Sequence, residues 1–193
     1  TGFLMLIYGS STLRGQSIST PFFWAIDRSQ DATITYDWFS KAGQAATGEY
    51  RYMLAPGSSG RALFNTLNES EVTDPSQGIR PAQRSYTVNG SLVQALPMGL
   101  RAQANANYFS SLATQQRYQQ DVYQATTRQR NFDATMTGSW GAYMLSARAE
   151  QRDYFDNNET LTRTGSLPRI NLSHAEKPIA GTMVAVNRKT LMR

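Results

Sequence analysis

Three stretches of this chain alternate apolar and polar residues so regularly that each fits an extended strand with two unlike faces. In 31–39, Ala32, Ile34, Tyr36 and Trp38 alternate with Asp31, Thr33, Thr35 and Asp37. In 100–108, Leu100, Ala102, Ala104, Ala106 and Tyr108 alternate with Arg101, Gln103, Asn105 and Asn107. In 131–140, Phe132, Ala134, Met136, Gly138 and Trp140 alternate with Asp133, Thr135, Thr137 and Ser139. A period of two collects the apolar residues of such a run on one face and the polar residues on the other. A single strand leaves open which face turns inward.

The same period, interrupted by turn-forming residues, orders the rest of the chain. A first strand is expected over 16–26, with Ile18, Phe22, Trp24 and Ile26 on one face and Pro21 in its middle. Proline has no N–H for the ladder, so this strand belongs at an edge or where pairing is weak. A strand over 45–54 completes a meander with 16–26 and 31–39. The stretch 55–83, rich in Pro, Gly, Ser and acidic residues, reads as a long loop, and 110–130 as a second. Strands are also expected over 84–96, with a bulge at Val93 where the alternation slips, and over 143–152, 161–174 and 179–187. In this order the longer or more polar connections follow odd strands and the tight turns follow even ones. An up-and-down membrane barrel distributes its loops and turns in this way.

Composition narrows the class. Only 17% of residues are charged, against roughly 25% in ordinary soluble domains. The apolar fraction is 40% and the mean hydropathy is negative, so neutral polar residues have replaced charge. Ten Tyr and eight Phe argue against disorder. No apolar run approaches the ~20 residues of a membrane-spanning helix. The chain starts at Thr1-Gly2 without an initiator Met and reads as a fragment or a processed product. With no Cys there is no disulfide framework and no thiolate metal site. The lone His174 has no metal-ligand spacing around it, and neither Ser10-Ser11 nor Ser58-Ser59 sits in a Gly-x-Ser-x-Gly elbow. No catalytic residue, metal or cofactor is therefore assigned. The net charge of +5 comes mostly from Arg and suits a polyanionic partner. Three readings stay open on pattern alone: a segment of a membrane barrel, a soluble β-sandwich serving binding or adhesion, and a small outer-membrane pore.

Residues 21–52 add a resemblance. Pro21-Phe-Phe-Trp-Ala-Ile, Asp31-Ala-Thr-Ile-Thr and Gly48-Glu-Tyr-Arg-Tyr52, in this order and spacing, resemble the LPS-assembly (LptD) family, also called organic solvent tolerance proteins, at the start of its C-terminal barrel. Gly90 to Asn107, with Gln94, Leu96-Pro97 and Asn107-Tyr108, also looks like the family. The resemblance implies an all-β, antiparallel up-and-down transmembrane β-barrel, present here in part, with about eight or nine strands of a barrel of about two dozen. Residues 1–15 would be the end of a periplasmic jelly-roll segment, and 16–193 the partial barrel with long loops near 55–83 and 110–130. The implied function is delivery of lipopolysaccharide through the barrel lumen and a lateral seam to the outer leaflet of a Gram-negative outer membrane. The implied partners are lipopolysaccharide, a plug lipoprotein of the LptE type and a periplasmic bridge protein of the LptA type. The Arg and Tyr residues of 117–130 then need no nucleic acid to explain them, and the resemblance implies a transporter rather than an enzyme.

The resemblance also implies roles for residues. Pro21 matches the proline that weakens pairing in the family's first strand, where first and last strands meet, so Pro21, Phe22 and Ile18 would form a lateral gate. A second family proline falls at Tyr36 and is absent here. Lumen-facing polar residues would be Thr33, Thr35, Asp37, Glu49, Arg51, Arg101, Gln103, Asn105, Arg148, Glu150 and Arg152. The arginines among them suit phosphate or acidic sugar, or else pairing with Glu49, Asp37 or Glu150 within the wall. Trp24, Trp38, Tyr50, Tyr52 and Trp140 would be interfacial aromatics.

Overall fold

The alternating runs become neighbouring strands of one antiparallel sheet. The computed structural model describes residues 1–74, 78–112, 128–156, 161–175, 177–178, 185–186 and 189–192. Its strands in chain order are β1 (Gly2–Phe3), β2 (Ile7–Ser11), β3 (Gly15–Asp27), β4 (Gln30–Phe39), β5 (Gly43–Ala55), β6 (Ser58–Glu69), β7 (Val72–Asp74), β8 (Gly78–Arg80), β9 (Gln83–Ala95), β10 (Arg101–Phe109), β11 (Gln129–Trp140), β12 (Tyr143–Phe155), β13 (Leu161–His174), β14 (Lys177–Pro178), β15 (Ala185–Val186) and β16 (Lys189–Met192). Twelve of them make the main sheet. β1 and β2 both lie along β3, and β4, β5, β6, β9, β10, β11, β12, β13 and β16 follow in spatial order. β7 with β8 and β14 with β15 form separate two-stranded hairpins inserted between strands of the sheet. The sheet is an open meander within this chain, the architecture of part of an up-and-down barrel.

Several expectations are corrected. The stretch 55–83 is not one loop: a two-residue turn at Pro56-Gly57 leads into β6, which pairs along its length with β5 and β9. The alternation of β6 is muted because Leu63 and Leu67 sit on its polar face and small Gly60 and Ala62 on its apolar face. Leu67 is buried with Phe39, Ala42 and Ala45 in an apolar cluster, so packing overrode the two-faced pattern there. The extra strand moves the 40–42 turn to the rim that carries the connections 70–82 and 110–128. The opposite rim carries the tight turns at 28–29, 56–57 and 141–142 and the short Pro97–Gly99 turn. β9 runs past Val93 without a break in register; the irregularities lie instead at Ala25/Asp27, Met53/Ala55 and Arg148/Glu150. The last sheet strand is β16 rather than 179–187, of which 185–186 pairs locally with β14. Most of the expected 110–130 loop and of 179–187 lies outside the described residues.

Register carries each face across the sheet. On one face Phe22, Ile34, Gly48, Phe64 and Val88 are successive cross-strand partners, and so are Trp24, Ala32, Tyr50, Ala62 and Gly90. This apolar face stays open: Ile34 is 50% exposed and Phe132 48%. Among the described residues no second sheet packs across it, and the buried apolar side chains are Pro21, Phe39, Ala42, Ala45, Leu67 and Phe109. A sandwich would bury this face between two sheets. A barrel in lipid keeps it outside, where it needs no protein cover.

Candidate functional site

The polar face is an ordered surface of charge and amide. At one end of β4 and β5, Arg51 contacts Asp31 at 2.8 Å and approaches Glu49 at 3.9 Å, and Glu49 accepts Arg61 at 2.8 Å. The three strands carry these residues side by side because Asp31, Arg51 and Arg61 occupy one cross-strand row. On β12, Arg148 contacts Glu150 at 2.9 Å and Arg152 lies at 3.8 Å from the same carboxylate. The Asn105 amide donates to Asp133 at 3.2 Å. Exposed pairs of this kind are worth about 0.2–1 kcal/mol each, so they orient side chains more than they hold the sheet together. Thr33, Thr35, Asp37, Gln103 and Asn105 all lie on this face with the arginines.

Arg51, Arg148 and Arg152 thus have partners within the wall, Arg148 and Arg152 sharing the single Glu150 carboxylate. Arg101 makes no ion pair or hydrogen bond among the described residues. Asp31 and Arg61 were missed as site residues. Asp31 was visible in the Asp-Ala-Thr-Ile-Thr run, whereas Arg61 was hidden in a stretch read as loop. A depression of about 390 Å³ on this side of the sheet is lined in part by Arg51, Arg61, Ser91, Gln103 and Asn105.

Pro21 sits on the polar face, buried, opposite Thr35. It was expected at an edge or where pairing is weak; β3 has neighbours on both sides, so it is not an edge strand. The pairing on the β1/β2 side is defective at this residue. Phe3 pairs with Phe22 and Ile7 with Ser19, so residues 4–6 carry one extra residue across from Thr20 and Pro21. Leu4 N–H still donates to the Pro21 carbonyl at 2.9 Å. The N–H and C=O of one strand residue point to the same side. The donor that proline lacks would therefore have faced residues 4–6, and the β3–β4 ladder loses nothing. Ile18 and Phe22 flank this defect on the apolar face, and Phe22 meets Phe3 edge-on with centroids 5.1 Å apart. Residues 1–15, expected as an exit from a preceding segment, are in part paired into the sheet as β1 and β2.

The aromatics fall towards opposite strand ends. Trp38 lies one residue from the end of β4, on the rim of 40–42, as do the stacked rings of Tyr86 and Tyr108, 5.7 Å apart. Trp24, Tyr50, Tyr52 and Trp140 lie towards the tight-turn rim. Tyr52 covers Gly60 and donates to Gln94 at 3.2 Å, while the Trp140 indole donates to the Met98 carbonyl at 2.5 Å. Met98 has φ +64°, and Trp140 fastens this left-handed turn to β11. His174 ends β13 against Tyr143, ring to ring at 4.6 Å.

A long antiparallel meander with one open apolar face and one charged face is a stretch of barrel wall of the membrane type. By sequence this stretch is similar to LPS-assembly protein LptD. The identity is 40% over 74 residues with the protein of Nitrosomonas eutropha, covering 38% of this chain and 10% of the relative. With the protein of Aeromonas hydrophila it is 26% over 181 residues, 92% of this chain and 21% of the relative. With that of Shewanella sp. strain ANA-3 it is 29% over 135 residues, 67% of this chain and 16% of the relative. The likeness seen in residues 21–52 therefore extends along nearly the whole chain. The chain spans about a fifth or less of the length of these relatives. No family model matches it.

Proposed function

We propose that this chain is a segment of the barrel of an outer-membrane protein that transports and assembles lipopolysaccharide. The observation that carries the reading is the pairing of an open apolar face with a charged face in a chain similar to LptD over 92% of its length. In this reading the apolar face meets lipid and the polar face lines the lumen. Between Phe132 and Trp140, β11 runs about 27 Å, which at a tilt of 35–45° gives about 20 Å along the membrane normal, near the ~25 Å apolar band of such barrels. Trp38 then marks one interface, and Trp24, Tyr50, Tyr52 and Trp140 the other. The rim of 70–82 and 110–128 faces outward, and the tight-turn rim faces the periplasm. Thr1 lies at this second rim, its hydroxyl beside the Ala25 backbone.

In this reading the seam opens between residues 2–11 and β3, rather than where first and last strands meet, because Pro21 interrupts the ladder there, and Phe22 and Ile18 face the acyl chains. Without a second proline at Tyr36, the β3–β4 ladder stays closed and opening is confined to the other side of β3. Sugars and phosphates pass along the polar face while acyl chains leave through the seam, with plug and bridge proteins of the LptE and LptA types as partners. The role is transport, not catalysis. Depleting the complete protein in its own cells is expected to leave newly made lipopolysaccharide unexposed at the surface, read by antibody access to intact cells. Undiminished surface lipopolysaccharide would overturn the reading.

A further inference from the structure

Arg148 and Arg169 are direct cross-strand partners on the polar face of β12 and β13. Like charges placed directly opposite one another on an antiparallel pair are destabilising. Glu150 offsets Arg148 but is also approached by Arg152, and Arg169 makes no ion pair or hydrogen bond among the described residues. One row nearer the tight turns, Arg101, Thr137, Ser146 and Asn171 are successive partners, and Arg101 too is unpaired among the described residues. Two strand spacings and one pleat repeat place the Cα atoms of Arg101 and Arg148 about 12 Å apart, close enough for long guanidinium arms to reach one small anion. Gln103 and Thr135 share the row of Arg148 and Arg169. The nearest carboxylates, Asp133 and Glu150, are engaged by Asn105 and by Arg148.

We propose that Arg101, Arg148 and Arg169 form a binding site for a phosphorylated sugar. The proposal rests on the polar face being the transport path and adds to it the position where a sugar phosphate is held. Guanidinium groups supply charge-assisted donors for phosphate oxygens, and the hydroxyls and amides of Thr135, Thr137, Ser146, Asn171 and Gln103 match sugar hydroxyls. A protein partner would need apolar or aromatic anchors, and between β10 and β13 these two rows hold only Arg101, Gln103, Thr135, Thr137, Ser146, Arg148, Arg169 and Asn171. The anion also relieves the opposition of Arg148 and Arg169, which the wall itself leaves half-compensated.

The test uses the complete protein in detergent and follows binding of glucosamine phosphate by calorimetry. Arg169→Gln and Arg101→Gln are each expected to weaken binding about tenfold, the scale of a lost hydrogen bond to a charged group, with partial retention in Arg169→Lys. Arg84→Gln, at the far end of β9, is expected to change nothing, and N-acetylglucosamine is expected to respond to none of the variants. Retained heat-modifiability on gels confirms that the variants fold. Absence of binding by the native protein, or equal binding by native protein and both Gln variants, would overturn the site. Inorganic phosphate binding as tightly as glucosamine phosphate would overturn the assignment of a sugar. Export of lipopolysaccharide by the native protein is scored separately: export with no loss of binding in the variants sinks the site alone, and absence of export sinks the transport reading.

Discussion

Replacing Ile34 with arginine is expected to destabilise the membrane-inserted barrel by about 2–4 kcal/mol, the cost of arginine on a lipid-facing strand near mid-bilayer. Thr35→Arg, one residue on at a half-buried site on the polar face, is expected to cost less than about 1 kcal/mol. Ile34 lies in the middle of β4 between Phe22 and Gly48 on the open apolar face. A guanidinium there has acyl chains on one side and apolar side chains on the other. Thr35 lies between Pro21 and Thr47 on the face that already carries Arg51 and Arg61. Equilibrium unfolding of the complete protein from lipid vesicles measures both. Equal losses for the two substitutions would contradict the assignment of the faces.

The second large effect is expected from Pro21→Val. Valine supplies an N–H on the side where Leu4 already reaches the residue-21 carbonyl, and it favours an extended backbone. A ladder hydrogen bond is worth about 0.5–1.5 kcal/mol, so opening of the seam should fall by up to about tenfold. Hydrogen exchange should slow at the amides of Leu4, Met5 and Leu6 and stay unchanged along β4, because the missing donor faces away from that strand. Export of lipopolysaccharide should slow in parallel. If exchange slows at residues 4–6 while export is untouched, the gate does not lie at Pro21.

The parts of the fold legible in the sequence are those where one face is uniformly apolar and the other uniformly polar. β4, β10 and β11 satisfy this, as a wall with lipid on one side and water on the other would require, since such a wall leaves no reason to mix residue types on a face. β6 was illegible because Leu67 turns inward to pack with Phe39, Ala42 and Ala45, and because Pro56-Gly57 signals a break that is only a tight hairpin. β1 and β2 are too short to show a period at all. Among the site residues, the face of each could be read from alternation, but partners could not. Asp31 is adjacent to Arg51 only through the register of β4 and β5, and Arg169 is opposed to Arg148 only because an irregularity between Arg148 and Glu150 sets the pairing of β12 with β13. Register is a property of two strands, and a single strand's pattern does not contain it.

The most direct test of the two-faced wall uses the absence of cysteine in this chain. Single cysteines are placed in turn at Thr33, Ile34, Thr35, Tyr36, Asp37 and Trp38 of the complete protein in lipid vesicles, with any cysteines outside this segment removed, and labelled with a membrane-impermeant maleimide. Labelling is expected to alternate, with Thr33, Thr35 and Asp37 reacting and Ile34, Tyr36 and Trp38 protected by lipid. Labelling that ignores the alternation, or that favours Ile34, Tyr36 and Trp38, would contradict a barrel wall with a watered lumen behind it.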